Sequence, residues 1–318
     1  MTTGIDAMAT PSSSPDTLLI LGAGYTGKEL TRQALHSDYR IIATSRDDDT
    51  LQWLEQQGAV AVRWSVGDDP QLWARYLGES TALVYSIPTL FRDYQPATNG
   101  TLPRHIQPVD EVIELCRQEK VSRFIYLSSS SVYGDHGGEW IDETADLAPT
   151  SPVGKMRADI EHFLLDQNVD FPINIARLVG IYGPGRTLLK YIQSGRYTLV
   201  DDGSRVSNRI HVHDIARAIL TLVERGPDEH RVFNFTDGHP QPSRDLVNFV
   251  CHKADIDLPP EESLEEYARR RNDPNAIARR KNSVRLLNDR LRNELNFSLV
   301  YPDVFAGYDA IFEQRDRP

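Results

Sequence analysis

Several groups of residues in this chain have the types and the spacing to do chemistry. Gly22, Gly24 and Gly27 follow the apolar run Leu18 to Leu21 at the spacing G-x-G-x-x-G and lead into a helical stretch, Lys28 to Leu35. The first glycine suits a tight turn, the second a close backbone approach to a pyrophosphate, and the third close packing of helix on strand. Tyr25 and Thr26 stand inside the turn, and the helix start offers free N–H groups and partial positive charge to phosphates. Further along, the hydroxyl row Ser128 to Ser131 and Tyr133 close the apolar run Val121 to Leu127. Hydroxyls at the carboxyl end of a strand can hydrogen-bond a substrate carbonyl or alcohol; a serine-rich turn is the plainer reading.

The elements that must hold these groups read as strands alternating with helices. Strands are expected at Leu18 to Leu21, Arg40 to Ser45, Ala59 to Trp64, Thr81 to Tyr85 and Val121 to Leu127. A loop is expected over 89–104, then a helix to about Lys120. This alternation predicts an α/β protein with a Rossmann-type, doubly wound parallel sheet and ligands at the carboxyl ends of its strands. The second strand ends in Thr44-Ser45-Arg46, where an Asp or Glu would grip the ribose of NAD. A hydroxyl and a cation there suit a 2′-phosphate instead, so NADP is expected rather than NAD, although Asp47 to Asp49 set negative charge beside Arg46. Asp68, after the third strand, is placed to meet the adenine amine. Ser86, Ile87 and Pro88 end the fourth strand beside the cofactor.

Composition narrows the class. The formal net charge of −11 argues against general nucleic-acid binding and against anionic membranes, which leaves a small molecule as the expected partner. No window approaches the roughly 18 apolar residues of a membrane span. Residues 1–15 have no Lys or Arg and no apolar stretch of the signal-peptide kind, so they read as a disordered lead-in. Only Cys116 and Cys251 occur, far apart, and a reducing cytoplasm fits that usage. The basic stretch Tyr267 to Asn282 lacks interleaved aromatics and reads as a solvated helix face.

The run Ser128-Ser-Ser-Ser-Val-Tyr-Gly-Asp135, then Asp142-Glu-Thr144 and Pro149-Thr-Ser-Pro152, resembles the extended short-chain dehydrogenase/reductase superfamily, the nucleotide-sugar epimerases and dehydratases. The resemblance continues through Ala176 to Gly185, Arg209 to Ala216, Val232 to Pro240 and Asn296 to Pro302. It implies a Rossmann domain over 16–182, with returning segments near 209–236, and a smaller mixed substrate lobe from 183–208 and 237–318. It also implies that Ser129, with Ser130 adjacent, assists catalysis. His211, His213 and Asp214 fit an ordinary structural segment of that superfamily, with Asp214 as the N-cap of a helix from Ile215, so no metal is expected.

One departure matters most. The superfamily's proton-transferring Tyr and its partner Lys, four residues on, fall at Val153 and Arg157. A valine cannot transfer a proton; Arg157 keeps positive charge for the ribose or phosphates, whereas Lys155 faces elsewhere. Tyr133 and Tyr182 are the candidate displaced acids. The arginine of Val206-Ser-Asn-Arg209 also stands nearer His211 than in nucleotide-sugar enzymes. The chain thus resembles the atypical members of the superfamily. It is expected to be an NAD(P)-dependent oxidoreductase or epimerase for a small hydroxylated or carbonyl substrate, or else a non-catalytic NADP(H)-binding sensor, as a monomer or homodimer.

Overall fold

The computed structural model describes residues 15–88 and 102–315. Nearly all of the expected lead-in, and the loop as far as residue 101, lie outside the described residues. The elements run β1 (Thr17–Leu21), α1 (Tyr25–Ala34), β2 (Arg40–Ser45), α2 (Asp48–Gln56), β3 (Val60–Arg63), α3 (Gln71–Ala74) and β4 (Thr81–Tyr85). Next come α4 (Gln107–Glu119), β5 (Arg123–Ser129), β6 (Trp140–Ile141), α5 (Pro152–Leu165), β7 (Ile173–Leu178), β8 (Gly180–Tyr182) and α6 (Leu188–Gln193). Then follow β9 (Leu199–Val200), β10 (Val206–Ser207), β11 (Arg209–His211), α7 (Val212–Arg225), β12 (Arg231–Phe235) and β13 (Gln241–Pro242). The chain finishes with α8 (Ser243–Ala254), β14 (Glu261–Glu262), α9 (Leu264–Arg271), α10 (Pro274–Lys281), β15 (Arg285–Leu286), α11 (Asp289–Glu294) and α12 (Val304–Arg315).

Seven strands form one parallel sheet in the order β12-β7-β5-β4-β1-β2-β3. Its central strands are buried along nearly all of their length because both faces are covered. Alternation along β1 divides them: Leu18 and Ile20 join a core with α1 and α7, whereas Leu19 and Leu21 join a second core with α4 and α5. The order reverses between β1 and β4, and that crevice at the carboxyl ends is where such sheets bind ligands.

The remaining short strands pair outside the sheet. β12 alone returns to it, beside β7; β11 instead runs parallel to β8, placing Arg209 opposite Gly180. Tyr182, Leu189, Leu246, Val250, Val304, Tyr308 and Phe312 form a separate apolar cluster under α6, α8 and α12. One helix start differs from expectation. α7 begins at Val212 with His211 as its cap, so the Asp214 carboxylate is free to accept from Val300 N and Tyr301 N at 2.8 and 2.9 Å. Ser243 is the first residue of α8, and its hydroxyl donates to Arg205 O at 3.1 Å.

Candidate active site

The turn after β1 is held from outside. Thr44, at the end of β2, accepts Gly22 N through its hydroxyl at 2.9 Å and Ala23 N through its carbonyl at 2.8 Å. Gly22 has φ +96°, a left-handed conformation that favours glycine. A Cβ on Gly27 would lie 2.7 Å from Gly22 O, so α1 packs on the turn at glycine distance. Around Gly24 the same construction meets nothing within 4 Å. That open approach, next to a helix start whose cap supplies no side-chain bond, is what a pyrophosphate needs. A nicotinamide dinucleotide therefore fits the residues present.

A cavity of about 570 Å³ opens from this turn. Of the residues expected to bind cofactor, Gly22, Gly24, Ser45, Arg46, Ser86, Ile87 and Pro88 line it. Tyr25, Thr26, Gly27, Asp68 and Arg157 do not. Thr26 is buried in the first turn of α1. The Tyr25 hydroxyl donates to Pro184 O at 3.1 Å, tying the turn to the loop after β8. Asp68 is turned into its own loop, where its carboxylate accepts Ser65 N at 2.8 Å. The wall there is made by Trp64, Ser65 and Val66 instead. Tyr85, Arg104 and His105 also line the cavity and were not singled out by sequence; the aromatic end of β4 was the available signal for Tyr85.

The acidic run after Arg46 is already engaged. Asp47 caps α2, accepting Thr50 N at 2.9 Å, and these bonds to Thr50 lower its pKa. Asp48 pairs with Arg63. The Arg46 guanidinium has no hydrogen bond or ion pair among the described residues.

At the next strand ends, the Ser129 hydroxyl accepts Ser131 N at 3.2 Å, and its O–H is unused among the described residues. The Ser130 hydroxyl likewise makes no bond there. Helix α5 starts directly against this turn, with Ser151 capping Gly154 N at 3.1 Å and a Cβ on Gly154 falling 2.5 Å from Ser131 O. Val153 is half-buried at that start, Lys155 is exposed, and Arg157 turns inward to donate from Nη1 to Leu127 O at 3.0 Å. Arg157 Nε is buried with no hydrogen-bond partner among the described residues. Burial raises the pKa of the nearby Tyr85 phenol, and the Arg157 charge acts against that rise.

Both candidate displaced acids are occupied. Tyr133 is 0% exposed; its hydroxyl donates to Asn234 Oδ1 at 2.7 Å and accepts Arg177 Nη1 at 2.8 Å. Burial pushes its pKa up to about 12. Arg177 in turn is paired with the buried Glu161 at 2.7 Å, and Ser128 donates to the same carboxylate. Tyr182 donates to Asp303 O at 3.3 Å and stacks on Tyr308 with ring centroids 5.3 Å apart. His211 is buried, which lowers its pKa to about 4, and its Nδ1 accepts His213 N at 3.2 Å.

The family described as the NAD dependent epimerase/dehydratase family matches residues 18–235. Protein YeeZ of Escherichia coli (strain K12) is 28% identical over 233 residues, 70% of this chain and 78% of that protein. The uncharacterised UDP-glucose epimerase YtcB of Bacillus subtilis (strain 168) is 27% identical over 129 residues, only 37% of this chain and 40% of its own length. A conserved protein of unknown function from Silicibacter pomeroyi superimposes with a TM-score of 0.77 at 29% identity, covering 95% of this chain and 100% of that one. MoeE5, solved with UDP-glucose and NAD, shares the fold with a TM-score of 0.73 at 18% identity, over 94% and 98% of the two chains. The chain belongs to the NAD dependent epimerase/dehydratase family. No helix among the described residues is long and apolar enough to cross a membrane.

Proposed function

We propose that this chain is an NAD(P)-dependent oxidoreductase or epimerase acting on a small hydroxylated or carbonyl substrate, sugar-derived compounds included. The observation that carries the reading is the glycine turn opening into a 570 Å³ cavity one strand away from a turn with free hydroxyls. The amides around Gly24 would hold the pyrophosphate, with Ser86 to Pro88 along its path. The cofactor, when bound, supplies hydride exchange at its nicotinamide. Ser129, with Ser130 beside it, donates a hydrogen bond to the substrate oxygen. Arg157 serves as a fixed positive charge near that oxygen and the ribose. A guanidinium does not give up its proton near neutral pH, so Arg157 is an electrostatic group and not an acid. With Val153 inert and Tyr133 and Tyr182 engaged, proton transfer falls to the Ser129 and Ser130 hydroxyls and water.

NADP is the preferred form in this reading. Ser45 and Arg46 stand at the cavity wall, Arg46 with no ion pair among the described residues, and Asp47 and Asp48 are held by Thr50 and Arg63. Two buried, unbridged cysteines suit the reducing cytoplasm. A second reading, a non-catalytic NADP(H)-binding sensor, is favoured by one observation, the valine at position 153. The two separate when purified protein is mixed with NADPH and a panel of carbonyl compounds and the nicotinamide absorbance is followed. Oxidation of NADPH that is lost in Ser129→Ala supports the enzyme. Saturable NADPH binding with no turnover across the panel supports the sensor, and no binding of either dinucleotide overturns both.

A further inference from the structure

One side chain ties the glycine turn to a segment far along the chain. Tyr25, the first residue of α1, follows Gly24, whose surroundings are open to a phosphate, yet Tyr25 does not line the cavity. It reaches instead to the loop after β8, where its hydroxyl donates to Pro184 O at 3.1 Å. Burial raises its pKa to about 12, so the phenol keeps its proton and remains a donor near neutral pH. The Arg186 guanidinium, from the same loop, lies 5.5 Å from the centre of the Tyr25 ring. Gly183 lets the loop come this close. Its φ is +151°, and a Cβ there would lie 2.7 Å from both the Tyr25 hydroxyl oxygen and Val212 Cγ1.

The loop passes this contact on. Gly183 N donates to Arg186 O at 3.2 Å and Arg186 N to Gly183 O at 3.0 Å, which closes residues 183–186 into a tight turn. Thr187 then caps α6 by accepting Lys190 N at 3.2 Å, and Leu188 N donates to the Tyr308 hydroxyl at 2.7 Å. Tyr308 belongs to the apolar cluster under α6, α8 and α12, and it stacks on Tyr182, the residue just before Gly183. A path of hydrogen bonds and packed rings thus runs from the glycine turn to that cluster. Further along α1, Gln33 Nε2 donates to His213 O at 3.0 Å and Glu29 Oε1 lies 3.2 Å from His213 Nδ1. These contacts anchor α1 on the start of α7, one to two turns behind Tyr25, and Tyr25 carries the tie to the loop.

We propose that Tyr25 is a latch that couples occupancy of the glycine turn to the docking of the 183–193 segment. The inference rests on the reading of that turn as a dinucleotide site and goes beyond it. A pyrophosphate at Gly24 engages the N–H groups beside Tyr25 and restrains the backbone that aims its ring, and so holds the hydroxyl on Pro184 O. Unaided, the tie is one neutral hydrogen bond and one ring–cation contact, each weak enough to open. Such coupling is reciprocal: what the cofactor adds to docking of the loop, the docked loop returns to the cofactor. Tyr25 is therefore a positioning residue, acting through the loop and not on reacting atoms.

The test is hydrogen exchange of the full chain, read by mass spectrometry with and without NADP⁺ or NAD⁺, whichever binds the more tightly. Each protein is held at a dinucleotide concentration that fluorescence titration shows to be saturating for it. The dinucleotide is expected to slow exchange across 183–193 of the wild type about threefold or more. That slowing is expected to be lost in Tyr25→Phe and reduced in Arg186→Gln. Tyr25→Phe keeps the ring, and the Arg186 side chain is exposed, so the Arg186→Gln result stands even if Tyr25→Phe folds poorly. Dinucleotide affinity is expected to fall about three- to tenfold in Tyr25→Phe, the worth of one neutral hydrogen bond. Equal slowing in the wild type and both variants, or none in the saturated wild type, overturns the latch and leaves the dinucleotide site standing. No binding of either dinucleotide by the wild type overturns that site and the latch with it.

Discussion

The backbone N–H of Val153 donates to Asn275 Oδ1 at 3.1 Å, which fastens the first turn of α5 to the first turn of α10. Asn275→Ala removes one acceptor from a helix start, a loss of about 1 kcal/mol. Thermal unfolding is expected to fall by about 2–4 °C, with NADPH affinity unchanged because the cofactor cavity has no residue from α10.

The glycines of the turn do different work, and alanine separates them. Gly24→Ala meets no atom of the protein within 4 Å, so the fold persists and only the approach of a phosphate is obstructed. Gly27→Ala forces a Cβ to 2.7 Å from Gly22 O, so the helix must move. Gly24→Ala is expected to keep the wild-type melting temperature and lose NADPH affinity about tenfold or more. Gly27→Ala is expected to lose both, as read by calorimetry and fluorescence titration.

Cofactor choice is testable at Arg46, which lines the cavity and has no hydrogen bond or ion pair from its guanidinium among the described residues. Arg46→Gln is expected to weaken NADPH about 10- to 100-fold, the size of one or two charge-assisted hydrogen bonds, and to leave NADH within about twofold. Equal effects on both dinucleotides would remove Arg46 from any role at a 2′-phosphate.

The buried chain Ser128–Glu161–Arg177–Tyr133–Asn234 lies beneath the serine turn. Glu161 is 0% and Arg177 4% exposed, so Glu161→Gln leaves an uncompensated guanidinium inside. A loss of about 3–5 kcal/mol is expected by denaturant unfolding. Tyr133→Phe removes one bond on each side of its hydroxyl and costs about 1–3 kcal/mol. NADPH binding by Tyr133→Phe at low temperature is expected to match wild type, because this hydroxyl is turned away from the cavity.

Asp237 gives a pH dependence of definite sign. Its folded pKa of about 8 lies above the ordinary 3.8. Between these values the folded protein holds a proton that the unfolded chain has released, so stability is greatest in acid and declines as pH rises through about 8. Asp237→Asn removes this decline while its side-chain oxygen can still accept His239 N, as Oδ1 does at 2.9 Å. Above about pH 8 the variant is expected to be more stable than wild type, with little difference below about pH 4, measured by urea unfolding across pH.

Much of this protein is written locally. An apolar run followed by glycines at fixed spacing specifies strand, turn and helix start within a dozen or so residues, because strand burial, positive φ and close helix packing each depend on residue type at one position. The parallel sheet follows from the alternation of such segments. The valine at 153 and the arginine at 157 are likewise plain in the sequence.

Tertiary packing decided which side chains are free to act. Tyr133 and Ser129 are four residues apart, yet the tyrosine hydroxyl is taken by Arg177 and Asn234, residues 44 and 101 positions away. Asp68 had the right chemistry for an adenine but spends it on its own turn. Asp47, adjacent to Arg46, turns its carboxylate to the start of α2, where it accepts Thr50 N. Hydrogen-bond partners and counter-charges are set by distance in space; sequence fixes the donors, and the fold chooses which remain unpaired.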